Sequence, residues 1–576
     1  MPRLLIGPLL RYVSDTEATV WVETDAPCTV EIRLPDAAAS ATADTFCVAG
    51  HHFGLVVCEG LPCGRTLPYT THLDGDHVWP QADDPRPPCV IRTHARTDDP
   101  DDPPGGSLGR GGGQLQLAFG SCRVSAPHEE PYTLAKDEDP EGREVDALLA
   151  LTERMRSQAP EQWPDLLLLL GDQVYADEVS PRTEELIERR RSPGEGPPRE
   201  EVADFEEYMA LYQESWSDPS LRWLMSTVAT AMIFDDHDVH DDWNTSEAWR
   251  TRIRAKPWWE ERIVGAFTSY WLCQHLGNLS PAGLRAEKLF CALQQDDTDA
   301  DERLAVFARQ ADEETASARW SFRRDLGRTR LLVLDSRAGR VLTPGARQMI
   351  SDREFAWMRE NARGDYDHLL IGTSVPFMLA PGLHHFEAFN EALCDGAWGR
   401  PAAWLAEKVR QGIDLEHWPA FQDSFTEMSR LIEAIARGEY GSPPATITFL
   451  SGDVHHAYLA EARLRSGPVD TRILQAVCSP VRNPLSANEQ RAQKLGSSRG
   501  MAAATRRLAR WAGVGEPRLW WSFAQPPTFD NQIAEWSVDG RSARLRIERT
   551  LPEDRDAPKL HGSLDLTIEP SSPIPR

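Results

Sequence analysis

Beyond residue 113 the sequence alternates short apolar runs with long amphipathic stretches, and this alternation confines the chain to a layered α/β architecture. The runs expected to be strands are Leu115 to Gly120, Leu166 to Gly171, Ala229 to Phe234, Arg330 to Leu334, Leu369 to Ser374, Thr446 to Ser451 and Ile473 to Val477, with Arg544 to Glu548 and Leu564 to Ile568 near the end. Helical spacing of apolar residues falls between them, as at Val145 to Gln158, Phe205 to Met225, Trp258 to Leu276 and Phe421 to Ala436. No run approaches the ~18 apolar residues of a membrane-spanning helix. Ahead of this region, Ala18 to Thr24, Cys28 to Leu34 and Gly54 to Cys58 alternate between turn residues like the strands of a small β-sandwich. The Pro/Gly/Asp-rich stretch from Thr97 to Gly113 can hold neither a helix nor a core. The expected organisation is therefore a β-sandwich over residues 1–96, a linker over 97–113 and an α/β domain over 114–576. Arg191 to Pro198 reads as a polar loop between helices.

Charge narrows the function classes. Lys and Arg number 62 and Asp and Glu 89, so the formal charge is 62 − 89 = −27. A nucleic-acid scaffold needs a basic face to replace counterions, and a chain this acidic is a poor one. An anionic substrate would also be repelled unless something local reverses the sign. The ten cysteines include no C-x-x-C pair, and five (Cys28, Cys47, Cys58, Cys63, Cys89) fall in the first ninety residues. An odd cluster argues against a disulfide framework and for small buried hydrophobes. The N-terminal residues carry no long apolar segment and no twin arginine, which predicts a cytoplasmic protein.

Four of the expected strands stop abruptly and are followed at once by metal-type ligands. These are Phe119-Gly120-Ser121-Cys122-Arg123, Leu170-Gly171-Asp172-Gln173-Val174-Tyr175, Phe234-Asp235-Asp236-His237-Asp238 and Leu450-Ser451-Gly452-Asp453-Val454-His455. In open α/β sheets ligands bind outside the carboxyl ends of strands, so the four loops are expected to meet at one edge. Singly each has a plain structural reading: a Gly-Asp turn, a buried cysteine, a solvated acidic run. Together they place several carboxylates where burial is costly unless cations hold them. Cys122 thiolate, Tyr175 phenolate and His455 imidazole with a carboxylate suit Fe(III). Asp236 and Asp453, with Asp172 shared, form an oxygen-rich second pocket suited to Ca, Mn or Mg. A carboxylate shared by two ions is the arrangement that clamps a phosphoryl group and generates a hydroxide nucleophile. Arg123, beside Cys122, is expected either to grip a phosphate oxygen or to pair with the loops' carboxylates.

In this order the motifs resemble those of the PhoD-type alkaline phosphatases, within the binuclear metallophosphoesterases. Gly171-Asp172-Gln173-Val174-Tyr175 is similar to that family's Gly-Asp-x-x-Tyr, Asp235-Asp236-His237-Asp238 to its Asp-Asp-His-Glu, Ser451-Gly452-Asp453-Val454-His455 to its Ser-Gly-Asp-x-His, and Leu334-Asp335-Ser336-Arg337 to its Leu-Asp-Thr-Arg. Phe119 to Cys122 supplies the family's cysteine, and Gly7-Pro8-Leu9 with Ala18 to Val22 resembles its fibronectin-like N-terminal β-domain. The resemblance implies a four-layer αββα catalytic domain preceded by a fibronectin-like β-sandwich. It implies hydrolysis of a small phosphate ester, monoester or diester, by a metal-bound hydroxide. It places Fe(III) on Cys122, Asp172, Tyr175 and His455, and the second ion, calcium in the family with Mn, Mg or Zn as alternatives, on Asp172, Asp236 and Asp453. It makes His237 the group that contacts phosphate and protonates the leaving oxygen, against the plainer role of orienting a carboxylate.

The chain departs from the family pattern in three ways. Position 238 is Asp where Glu is usual, and Asp241 stands where many members have Asn, which brings extra negative charge near the second pocket. The superfamily's Val-x-x-His ligand has no clear counterpart; His384-His385 is the candidate, with a surface loop as the alternative. No export signal is read in the N-terminal residues, an expectation at odds with the family's secreted phosphate-scavenging members. Two other functions fit the same residues: a phospholipase D-like phosphodiesterase, and a non-catalytic metal-stabilised binding protein, against which the open, mixed-ligand site argues. The pairs Trp258-Trp259 and Trp520-Trp521 are read as core packing.

Overall fold

Two sheets carry the region after residue 113 in the computed structural model, which describes residues 1–570 apart from 96–113, 193, 195, 296–297 and 497. The expected linker 97–113 thus lies outside the described residues. The first sheet orders its strands Ala229–Ile233, Leu166–Leu170, Gln114–Gly120, Gln532–Asp539, Ser542–Arg549, His561–Ile568. The first three are parallel and the rest antiparallel. The second orders Phe322–Leu326, Thr329–Leu334, His368–Thr373, Thr446–Ser451, Arg472–Val477, Tyr458–Leu464, Leu519–Phe523, with a parallel centre from Thr329–Leu334 to Arg472–Val477.

The period-2 alternation of side chains sorts the second sheet's core. Leu331, Val333, Leu370, Leu450 and Leu474 share one apolar cluster with Leu117, Phe119, Leu167, Leu169 and Trp536 of the first sheet. The residues between them, Leu332, Leu369, Ile371, Ile447, Phe449 and Ile473, pack instead with Phe355 and Met358 of helix Asp352–Asn361 and with Phe425, Met428 and Ile432 of helix Gln422–Ala436. Burial on both faces explains why the central strands read as unbroken apolar runs.

Nine expected strands are present within a residue or two at most ends. Four were not foreseen: Phe322–Leu326, Tyr458–Leu464, Leu519–Phe523 and Gln532–Asp539. All four pair antiparallel, and their sequences mix charged and apolar residues, as in the alternation buried-exposed-buried-exposed of Leu519–Phe523. The helix expected over Phe205 to Met225 is two helices, Phe205–Trp216 and Pro219–Thr227. Asp218 breaks it by capping the second, its carboxylate accepting from the N–H of Ser220 and Leu221 with Pro219 at the first helical position.

The N-terminal region is β-rich and fits a sandwich. One four-stranded sheet runs Leu4–Val13, Ala18–Thr24, His51–Cys58, Phe46–Val48, and the other Ala39–Asp44, Thr29–Leu34, Thr70–Leu73, Asp76–Trp79. It is welded to the rest of the chain. Arg11, fully buried, donates to the carbonyls of Cys273 (2.6 Å) and Gln274 (2.7 Å), the Tyr69 hydroxyl donates to Ser226 O (2.6 Å), and Trp21 meets Trp216 edge-on at 6.4 Å. Trp259 and Trp521 are buried as expected, whereas Trp520 is 52% exposed. No helix among the described residues is long and apolar enough to cross a membrane.

Candidate metal centre

The loops after the parallel strands meet over the carboxyl ends of the two sheets, and their backbone is strained there. Cys122, Asp172, Asp453 and His455 all have left-handed φ, between 50° and 67°. Each costs ~1–2 kcal/mol in a residue with a Cβ, a cost that clusters where function requires it. Two glycines permit the approach. A Cβ on Gly171, whose φ is 115°, would stand 2.5 Å from the Cβ of Asp235, and one on Gly452 would overlap the side chain of Ser121. Ser121 Oγ in turn accepts from the N–H of Asp453 at 3.0 Å, tying two loops together.

Donor atoms gather in four overlapping groups, each within 4.8 Å: Cys122, Asp172 and His455; Asp172, Asp235 and Asp236; Asp236, Glu416 and Asp453; and Asp236, His237 and Asp241. Asp172 belongs to the first two groups and Asp236 to the last three. Tyr175 is buried, its hydroxyl accepts from Asn483 Nδ2 at 3.2 Å, and its ring lies 4.7 Å from that of His237. His237 Nδ1 is fixed by Asp177 Oδ1 at 2.9 Å.

At the centre of the acidic groups sits the fully buried Arg337. It donates to Asp235 Oδ1, Asp236 Oδ1 (3.0 Å), Glu416 Oε2 and Asp453 Oδ1 (3.4 Å), and Arg340 adds a second bond to Glu416 at 3.2 Å. The two guanidinium groups thus bond Asp235, Asp236, Glu416 and Asp453, while Asp172 and Asp238 lie beside them without such a bond; all six carboxyls are largely out of water. The imbalance appears in the ionisation of the groups. Burial, with Asp235 and Asp236 adding to it, pushes Asp172 far above the carboxylate range. Burial followed by repulsion from Asp172 raises both Cys122 and Tyr175. Burial also raises Asp453, but His417 and Arg337 outweigh it and hold that carboxyl well below its usual range. Burial lowers the His237 pKa, and Asp177 reverses this and raises it well above the ordinary value.

The donor chemistry fits cations on an observation independent of the motifs. Asp172 Oδ1 and Asp235 Oδ2 are buried and have no hydrogen-bond partner, a state that costs ~1–3 kcal/mol per group, more when charged, and that a bound cation removes.

The structure brings Cys122, Asp172, Tyr175, Asp236, His237, Asp453 and His455 to one place, and corrects three expectations around them. Arg123 points elsewhere: its Nε and Nη2 bond Asp146 Oδ2, both at 2.8 Å, and its Nη1 bonds Ser215 O and Oγ, so four of its five N–H groups are committed away from the donor cluster. Asp238 is not extra charge facing the second pocket. Its carboxylate accepts from the N–H of Asp172 (2.9 Å), Gln173 (3.2 Å), Val174 (3.4 Å) and Asp235 (2.9 Å), joining the two ligand loops. His384 is neither ligand nor surface residue. It is buried in helix Pro381–Cys394 against the rings of Phe425 (4.8 Å) and Trp521 (4.5 Å). Arg337, Glu416, His417 and Asp177 are the site residues that sequence reasoning gave no role. Arg337 and Asp177 lie inside quoted or neighbouring motifs, whereas Glu416 and His417 lie in a helix-rich stretch with no motif around them.

Comparison with known proteins bears on the fold and the family. Residues 150–276 match the family described as PhoD-like phosphatase, and residues 1–91 match a domain of unknown function, DUF7800. A solved structure described as that of PhoD superposes with a TM-score of 0.59 at 12% identity, over 98% of this chain and 90% of that one. A type III pullulan hydrolase from Thermococcus kodakarensis reaches a TM-score of 0.14 at 9% identity, over 95% of this chain and 94% of its own, and carries no argument. No curated protein sequence matches.

Proposed function

We propose that this chain, a member of the PhoD-type phosphatase family, is a metal-dependent hydrolase of small phosphoric esters whose site is organised on Asp172. The observation that carries this is the position of Asp172. It is shared between the Cys122–His455 donor group and the Asp235–Asp236 group, with Oδ1 buried and unpartnered. Cys122, Asp172, Tyr175 and His455 would hold Fe(III). Asp172, Asp236 and Asp453 would hold a second cation, calcium by family resemblance, with Mn, Mg or Zn suited to the same oxygen donors. When bound, such cations supply Lewis acidity toward the phosphoryl oxygens and the attacking water.

The chain's own groups do the rest. Asp177 fixes Nδ1 of His237, so the proton at Nε2 is held toward the site. The Tyr175 ring at 4.7 Å limits rotation of that imidazole. Water attacks phosphorus, the ester oxygen departs, and His237 Nε2 delivers the proton the departing oxygen needs. Arg337 is enclosed by four carboxylates and serves as a fixed charge that keeps Asp235 and Asp236 together; it does not reach substrate. We read the two sheets and their helices as the four-layer αββα arrangement, with residues 1–96 as the fibronectin-like unit, 97–113 as its linker and 114–576 as the catalytic unit.

The test is elemental analysis with visible absorbance, alongside turnover of chromogenic phosphomonoesters and phosphodiesters. Wild type is expected to carry iron with a tyrosinate charge-transfer band and to hydrolyse at least one ester class. Asp172→Asn is expected to lose turnover by 10³-fold or more (~4 kcal/mol) with unchanged circular dichroism. Retained turnover with metals added back refutes the assignment.

A further inference from the structure

Behind Asp453 lies a buried chain of groups that the proposed chemistry does not use. His417 stands on the turn before the short helix Trp418–Ala420, and its Nε2 meets Asp453 Oδ2 at 2.9 Å. Its Nδ1 meets Glu387 Oε1 at 2.7 Å. Glu387 is completely buried and comes from helix Pro381–Cys394. Glu416, the neighbour of His417, is one of the carboxylates around Arg337.

We infer that His417, backed by Glu387, is a positioning residue that sets the carboxylate of Asp453 for the second cation. The inference rests on the reading of Asp453 as a ligand of that cation. The side chain of Asp453, on a residue with a left-handed φ of 67°, is held by its polar contacts. Two contacts fix it: Arg337 touches Oδ1 at a long 3.4 Å, and His417 takes Oδ2 at 2.9 Å. The short bond holds Oδ2, and Oδ1, with only the long contact to Arg337, is the oxygen less tightly engaged and the one we assign to a cation. Carboxylates only accept hydrogen bonds, so both ring nitrogens of His417 donate, and Glu387 locks the plane in which the Nε2–H points. Outer partners of this kind orient metal-ligating side chains, and losing one typically costs 10–100-fold in metal affinity.

The experiment is Mn²⁺ binding to the iron-loaded full chain, followed by equilibrium dialysis with elemental analysis, for wild type, H417A, H417Q and E387Q. H417A is expected to weaken Mn²⁺ binding 10–100-fold while iron content and the tyrosinate band stay at wild-type values. H417Q places an amide N–H near the position of Nε2 and is expected to restore most of the affinity, which a merely space-filling role would not predict. E387Q keeps the imidazole and is expected to weaken binding by a smaller factor, so the idea stays testable if H417A fails to fold. Unchanged Mn²⁺ affinity in both H417A and E387Q, or an H417Q as weak as H417A, overturns the inference alone. A wild-type protein that binds iron but no Mn²⁺ overturns the second-cation reading and the inference with it.

Discussion

The sharpest consequence of the site's construction concerns Asp238, which lies among the expected ligands yet spends its charge on backbone. Asp238→Ala removes an acceptor for five donors: the N–H of Asp172 and Asp235 at 2.9 Å, those of Gln173 and Val174 at 3.2 and 3.4 Å, and Gln274 Nε2 at 3.3 Å. Burial raises the Asp238 pKa to about 7, so at a pH well above that the two short bonds run to a charged acceptor, each contributing ~1.5–3 kcal/mol, and the three longer ones contribute less. The expected destabilisation of the metal-free protein is therefore ~3–6 kcal/mol, above the common range for a point mutation. Asp238→Asn keeps one acceptor oxygen for the two short bonds and turns an amide toward the others, so about half that loss is expected. The assay is urea unfolding of the metal-free variants, read as the shift in midpoint multiplied by the slope. Because Asp172 and Asp235 hang from the same bonds, the Ala variant should also lose metal from both donor groups at once. A variant within ~0.5 kcal/mol of wild type, the range of an ordinary surface change, refutes the claim that Asp238 holds the two loops together.

Three further outcomes are expected. Tyr175→Phe leaves the ring against His237 but removes the phenol, so the tyrosinate band should vanish while circular dichroism is unchanged; a persisting band places another phenol on the iron. Gly452→Ala drives a Cβ into Ser121, an overpacking of ~1–3 kcal/mol that should lower the urea midpoint. Adding Ser121→Gly relieves the clash but removes the acceptor of Asp453 N–H, so the double variant should lose less than the sum of the two single losses; strict additivity shows that the clash lies elsewhere. The third concerns pH and the buried His94 of the N-terminal region, whose pKa burial depresses from 6.5 to about 3. A depressed folded pKa means that the unfolded chain takes up the proton first. Stability from the neutral imidazole is thus complete above pH ~6.5 and is lost as pH falls toward 3, at ~1.4 kcal/mol per pH unit. Between pH 7 and pH 5 wild type should lose ~2 kcal/mol more than His94→Asn; equal losses in urea unfolding rule out this histidine as the source.

How much of the site could be read beforehand follows from how each residue reaches it. Cys122, Asp172, Asp236 and Asp453 follow directly on strand ends, and the parallel order of the strands carries them to one edge without any long-range detail. The unforeseen strands failed for the opposite reason. Tyr458–Leu464 and Gln532–Asp539 take their place by antiparallel pairing with neighbouring strands, and their own sequences hold Glu, Arg and Gln among the apolar residues. Arg337 was visible in its motif, but its role lies in the company it keeps, four carboxylates 79 to 116 residues away in the chain. Glu416 and His417 had no local signal at all, because a single Glu-His pair before a tryptophan is unremarked until the fold sets it beside Asp453. Arg123 and Asp238 show the limit of adjacency. Cys122 lies past the end of its strand with a left-handed φ of 58°, a local reversal in the chain, and Arg123 bonds Asp146 while Cys122 groups with Asp172. A carboxylate counted in the sequence does not say whether it will meet a cation or a row of backbone N–H groups. Under the proposed function the acidic groups at this edge are two populations: Asp172, Asp236 and Asp453, which would meet cations, and Asp238 and Glu416, which are taken up by backbone N–H groups and by Arg337 and Arg340. Neutralising one population should cost metal and turnover, and neutralising the other should cost the fold first.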